Sequence, residues 1–126
     1  KRGLVTSAYK NLFAPYVEQS LLNIPIIPDG AIINNHAFFV IFDNSRNQEL
    51  FLSSLREKNI FAYIGYMPLH SSPMGKKFGY KDSDLPITED IASRLVRLPL
   101  YNALEGKYLD YCINGMKDVL KSIYNN

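Results

Sequence analysis

Residues 36–42, HAFFVIF, contain the longest uninterrupted apolar run of the chain, Ala37 to Phe42. Six apolar positions in a row, rich in aromatic and β-branched side chains, have the length of one strand and predict a strand buried on both faces. A strand of that kind needs cover, and the flanking sequence supplies it. Downstream, Ser45-Arg46-Asn47-Gln48 has the S-x-x-Q form of a capping box and opens a helix to about Lys58 that buries Phe51, Leu52 and Leu55. Asn59 suits the left-handed position that ends helices, and IFAYIGY (60–66) reads as a second strand. Upstream, NIPIIPDG (23–30) holds two prolines that remove backbone donors, which predicts an extended edge segment turning at Asp29-Gly30.

Helical spacing dominates both ends. Leu4, Ala8 and Leu12, with Val5, Tyr9, Phe13 and Tyr16 beside them, form an apolar stripe that should stop at Pro15. A C-terminal helix from about Lys107 to Tyr124 aligns Leu109, Ile113, Met116, Leu120 and Ile123 despite Gly115. Between them, Thr88 is the expected N-cap of a helix carrying Ile91, Leu95 and Leu98 on one face until Pro99, and LPLYN (98–102) is a candidate short strand. The order is helix, strand, helix, strand, long loop, helix, helix. It predicts a single α+β domain over residues 1–126, with helices covering one face of a small, mainly antiparallel sheet.

Composition bounds the function. A chain of 126 residues with 47% hydrophobic content can bury roughly two-thirds of its unfolded surface around one core. Its net charge of +2 gives no footprint for nucleic acid or anionic membranes. The longest apolar run is far too short to span a bilayer, and no secretory h-region opens the chain, so a cytoplasmic setting is expected. The single cysteine, Cys112, cannot form an internal disulfide and falls in an apolar helical pattern, as a buried free thiol would. The chain starts at Lys1-Arg2-Gly3 without methionine and enters a helical pattern at once, which suggests a piece of a longer protein.

The connection from Tyr63 to Asp84, YIGYMPLHSSPMGKKFGYKDSD, is unusually long for a compact domain, and such loops are commonly functional. His70 within it could donate to an anion or accept a proton; it could equally be bonded to a nearby carbonyl. His36, at the start of the apolar run, has the same two readings. Lys76-Lys77 could attract a phosphate or simply be solvated. Tyr63 and Tyr66 fall on opposite sides of an extended strand, so one of them, Tyr66, should line any cleft. A metal site from His36, His70 and Cys112 lacks ligand spacing and carboxylate support, and no phosphate-cradling glycine pattern or nucleophile turn is present.

Residues 66–104, YMPLHSSPMGKKFGYKDSDLPITEDIASRLVRLPLYNAL, together with PIIPDGAIINNHAFFVIF (25–42), resemble the C-terminal segment of the DegT/DnrJ/EryC1/StrS aminotransferases. The shared features are Asn35-x-x-Phe38-Phe39 around His36, Tyr66-x-Pro68-Leu69-His70, Pro73-x-Gly75, Phe78-Gly79 and Arg94-Leu95-Val96-Arg97-Leu98-Pro99. The resemblance implies the small domain of a PLP-dependent enzyme of the aspartate-aminotransferase fold. That enzyme, as a homodimer, would move an amino group from glutamate to the 4-keto carbon of a dTDP-4-keto-6-deoxyhexose. It further implies substrate-binding roles for Asn35, His36, Tyr66 and His70. The family's Schiff-base lysine lies in a Ser/His-containing motif ahead of the matching segment, and nothing like that motif occurs here. No catalytic or cofactor-binding residue is therefore expected in this chain, and PLP belongs to the full-length enzyme. The other reading of the same residues is a stand-alone small-metabolite-binding or regulatory module.

Overall fold

In a computed structural model, which describes residues 1–124, the chain folds as α1 (Arg2–Glu18), β1 (Leu22–Asn23), β2 (Phe39–Phe42), α2 (Ser45–Glu57), β3 (Tyr63–Ile64), α3 (Pro73–Lys77), α4 (Pro86–Arg94), β4 (Leu95–Arg97) and α5 (Lys107–Tyr124). The strands form one sheet in the order β1-β2-β4-β3, antiparallel at every pairing. The α+β class and the antiparallel sheet expected from the sequence are both present.

The core lies between one sheet face and helices α1, α2 and α5. Phe38, Val40 and Phe42 project into it from the β2 segment and Val96 from β4. They meet Tyr9 and Phe13 of α1, Phe51 and Leu55 of α2, and Met116, Val119 and Leu120 of α5. Phe42 and Phe51 stand 4.9 Å apart between ring centroids and Tyr9 and Phe38 5.4 Å, both tilted, the geometry that aromatic pairs favour. Each such ring fully removed from water contributes roughly 2 kcal/mol or more. Gly115 lets α5 approach the 58–60 turn, since a Cβ there would collide with the Ile60 Cδ1.

Several expectations are corrected. β2 is not buried on both faces: Val40 and Phe42 are fully covered, whereas Phe39 and Ile41 are only half-covered, because the opposite face is flanked by α4 alone. α1 runs through Pro15 to Glu18. Proline removes the donor that would bond the Asn11 carbonyl, and Asn11 is exposed, so water can take its place. Beyond the Gln19 C-cap the chain is turned out of the helix at Ser20, φ 59°, where Leu21 and Ser20 donate backwards to the Tyr16 and Val17 carbonyls. The capping box does not form. Asn44 is the N-cap of α2, its side chain accepting from the Asn47 amide at 2.9 Å, and Gln48 is buried, donating to the Leu95 carbonyl at 3.3 Å. Asn59 does adopt φ 55°, as expected.

The largest departure is β4. Residues 95–97, expected to continue a helix, are the strand between β2 and β3, while 98–102 join no strand. Pairing on both edges satisfies more backbone groups than one further helical turn ending against Pro99. α4 itself begins at Pro86, with Leu85 rather than Thr88 as N-cap. The long loop contains α3, capped by Ser72, whose hydroxyl accepts from the Gly75 amide at 3.1 Å. Cys112 is half-buried, and that burial pushes its thiol pKa up.

Candidate functional site

The uncovered sheet face and α4 enclose a groove of about 540 Å³, a size suited to a small ligand. Its floor comes from alternate strand positions. Phe39 pairs with Arg97, and Arg97 with Tyr63, so these three share the face opposite the core, as does Leu95. Ile87, Thr88, Ile91 and Ala92 of α4 form one wall, and Gly65, Tyr66 and Pro68 close an end. Gly65 packs against Leu95, and a Cβ there would lie 2.6 Å from the Leu95 Cδ2, so a larger residue would have to displace the tip of that side chain.

Of the four residues singled out from the sequence, the groove brings two together. His36 is exposed at its rim, in a turn where the Asn34 side chain accepts from the His36 amide at 3.0 Å. Tyr66 is 82% exposed and stands over the groove. Asn35 lies outside, held at φ 50° with its side chain near the Ile33 carbonyl and Gly3. His70 is turned inward and is only 5% exposed. Its Nε2 lies 3.0 Å from Glu89 Oε1 in α4, a close approach without hydrogen-bond geometry, and neither atom has a hydrogen-bond partner. The loop lysines are outside the groove, and Lys76 is paired with Asp82 at 3.1 Å.

Sequence reasoning missed Arg97. It was visible in the RLVRLP run, but a helical reading of 95–98 gave it no face; only as a strand residue does it point away from the core. Its Nη1 donates to the Tyr66 hydroxyl at 2.8 Å, and the guanidinium stands 5.7 Å from the Tyr66 ring centroid. A second concavity of about 690 Å³ adjoins the same pair, lined by Phe61, Tyr63, Tyr66, Arg97, Pro99 and Tyr101 among others. Tyr63 and Tyr66 therefore share a cleft, contrary to the strict alternation expected, because β3 ends at Ile64 and Tyr66 lies beyond the strand. Neither concavity includes a lysine.

A helix-backed antiparallel sheet of this kind occurs in solved aminotransferases. An aminotransferase from Psychrobacter cryohalolentis matches with a TM-score of 0.84 at 12% identity, over 99% of this chain and 35% of that one. Spr1654 of Streptococcus pneumoniae in its PMP form matches with a TM-score of 0.80 at 19% identity, over 97% and 30%. The chain belongs to the DegT/DnrJ/EryC1/StrS aminotransferase family, whose model matches residues 1–117. Among curated relatives, the dTDP-3-amino-3,4,6-trideoxy-alpha-D-glucose transaminase of Micromonospora megalomicea subsp. nigra is 26% identical over 124 residues. That match takes in 97% of this chain and 32% of the relative, so the chain spans about a third of the relative's length.

Proposed function

We propose that this chain serves as the C-terminal small domain of a PLP-dependent sugar-nucleotide aminotransferase. The reaction is transfer of an amino group from glutamate to the 4-keto carbon of a dTDP-4-keto-6-deoxyhexose. In this reading the enzyme is a dTDP-4-amino-4,6-dideoxygalactose transaminase, a supplier of amino sugars for lipopolysaccharide and other surface polysaccharides. The enzyme is read as a cytoplasmic homodimer. Family membership supports the reaction class, and the name of the Micromonospora relative supports a dTDP-linked sugar. The observation that carries the role of this chain is the groove itself, an apolar trench rimmed by His36, Tyr66 and Arg97.

The two concavities on this face of the sheet do not fit a PLP site. The cofactor is held as a Schiff base to lysine, and no lysine lines either concavity. No step through the cofactor is therefore assigned to this chain. What its residues supply is binding and exclusion of water. His36 and Tyr66 offer polar contacts to the sugar nucleotide; Ile87, Ile91 and Leu95 offer apolar walls to its deoxygenated carbons. Asn35 and His70 act one layer back, the first shaping the turn that presents His36, the second bracing α4 through Glu89.

The test is an amino-transfer assay on the full-length protein containing this chain, with glutamate, PLP and a panel of dTDP-4-keto sugars. Amine formation is expected, with His36→Ala and Tyr66→Ala raising KM for the sugar nucleotide by roughly tenfold, the value of one modest polar contact. Absence of amine from every 4-keto sugar tried would refute the reading.

A further inference from the structure

Arg97 is the one groove residue with a full charge at neutral pH, and among the described residues no carboxylate lies within 4.0 Å of its guanidinium. Its neighbour in sequence, Arg94, shows what a structural arginine looks like here. Arg94 is spent on the Asp90 carboxylate and, at 2.8 Å, on the Phe42 carbonyl. Arg97 by contrast has only neutral partners, the Tyr66 hydroxyl and ring. A guanidinium carries five N–H donors in a planar fork, and a single one of them is used. The remaining walls are mostly apolar, with Phe39, Pro68, Ile87, Ile91 and Leu95, and Thr88 and His36 are the polar exceptions. In that setting an opposite charge interacts more strongly than it would in bulk water, and the fork matches carboxylate or phosphate oxygens in pairs.

We propose that Arg97 is the oxyanion-holding residue of this groove, and that Tyr66 is its positioning residue, fixing the guanidinium across the mouth through hydroxyl and ring. The proposal rests on the reading of the groove as a sugar-nucleotide aminotransferase wall, which supplies two oxyanions of fitting chemistry. One is the diphosphate of the nucleotide sugar, the other a carboxylate of the amino donor.

The test is a titration of the ¹⁵N-labelled 126-residue chain, followed through the Arg97 Nε–H resonance, with inorganic pyrophosphate in one arm and L-glutamate in the other. A saturable shift in one arm is expected, and the arm that responds names the source. Arg97→Gln should weaken that binding by about tenfold to hundredfold, the range for a charge-assisted contact. Arg97→Lys keeps the charge but loses the fork and should recover only part of it. Tyr66→Phe keeps the ring and removes the hydroxyl; binding should fall by less than in Arg97→Gln while backbone amide shifts away from the groove stay put. No shift in either arm, shifts confined to Lys76 and Lys77, or equal affinity in Arg97→Gln would each overturn the proposal. Binding is read without turnover, so an anion held here by a protein that fails the amino-transfer assay would reject the function and retain the site.

Discussion

Gly75→Ala is expected to destabilise the chain although alanine is the better helix former. Gly75 sits in α3 with ordinary helical backbone, so the effect cannot come from φ. It comes from what α3 rests on. A Cβ at 75 would fall well under 3.0 Å from the Leu69 and His70 carbonyl oxygens and 2.7 Å from the His70 carbonyl carbon. Carbon–oxygen contacts normally begin near 3.3 Å, so the overlap is roughly half an ångström or more, and every atom met is backbone. Overpacking of that kind costs about 1–3 kcal/mol, while replacing glycine in a helix gains about 1 kcal/mol. The net is a loss of about 1–2 kcal/mol at the middle of that range and above. Gly115→Ala is the control: its Cβ would meet the Ile60 Cδ1, the far end of a side chain that can rotate, and the net change should stay within about 1 kcal/mol of zero. Urea unfolding followed by circular dichroism gives both values. Hydrogen exchange at Phe78 and Tyr80, whose amides donate to the Gly75 carbonyl at 3.0 and 3.2 Å, reports loosening confined to α3. A Gly75→Ala variant as stable and as protected as the parent would refute the reasoning.

Asn44→Ala should cost about 1 kcal/mol, the usual value of an N-cap, and Ser45→Ala nearly nothing; the reverse order in urea midpoints would restore the capping box. Ser20→Gly should raise stability by about 1 kcal/mol by relieving a non-glycine residue at φ 59°, and a lowered midpoint would count against a left-handed cap there. Alkaline pH should be destabilising. Burial pushes the Tyr9 pKa well above its ordinary value, helped by Cys112 and Tyr101, and burial together with Asp43 does the same to Tyr124. A folded pKa above the unfolded one means stability that is intact below about pH 10 and declines as pH rises beyond it. Tyr9→Phe should flatten that decline while losing about 1–3 kcal/mol at pH 7, because the Pro99 carbonyl loses its 2.6 Å donor. An equally steep alkaline decline in Tyr9→Phe would show that the buried hydroxyl is not its source.

What could be read from the sequence was local. α5 occupies the residues its period assigned, Lys107–Tyr124, and HAFFVIF contains β2, one of the two inner strands. Asn59 ends α2 because a short polar side chain tolerates positive φ, a property that travels with the residue. What escaped was non-local or very short. Ile91, Leu95 and Leu98 fit a helical stripe, and nothing within that window says that residues 95–97 have β2 on one side and β3 on the other. Arg97 was lost with β4, since its direction follows from the strand. α3 carried a legible signal, Ser72 followed by Pro73 as cap and first helical residue, but five residues produce no periodicity to notice. His36 and Tyr66 were found through motif matches and do meet at the groove. His70 shared those motifs, yet its burial beside Glu89 of α4 is a property of the folded loop that no spacing reveals.

The groove owes its shape to polar ties that lie beside it rather than in the apolar core. α4 passes into β4 without a connecting residue, Arg94 ending one and Leu95 starting the other. That junction is clipped twice to distant chain: Arg94 Nη1 donates to the Phe42 carbonyl, and Gln48 Nε2 to the Leu95 carbonyl. The other end of α4 is tied to the long loop by His70 and Glu89. Leaving a buried polar group unmatched costs about 1–3 kcal/mol, so the two hydrogen-bonded clips resist being broken singly, while His70 and Glu89 hold the other end by close approach at 3.0 Å. Together they set the distance between the α4 wall and the strand floor, and with it the depth available above Arg97. His70 therefore bears on a ligand through where it holds Ile87 and Ile91, which separates its mutational signature from that of a contacting residue. His70→Ala should loosen α4 as read by hydrogen exchange, and weaken pyrophosphate or glutamate binding only in proportion to that loosening. Lost affinity with α4 fully protected would place the imidazole in direct contact instead.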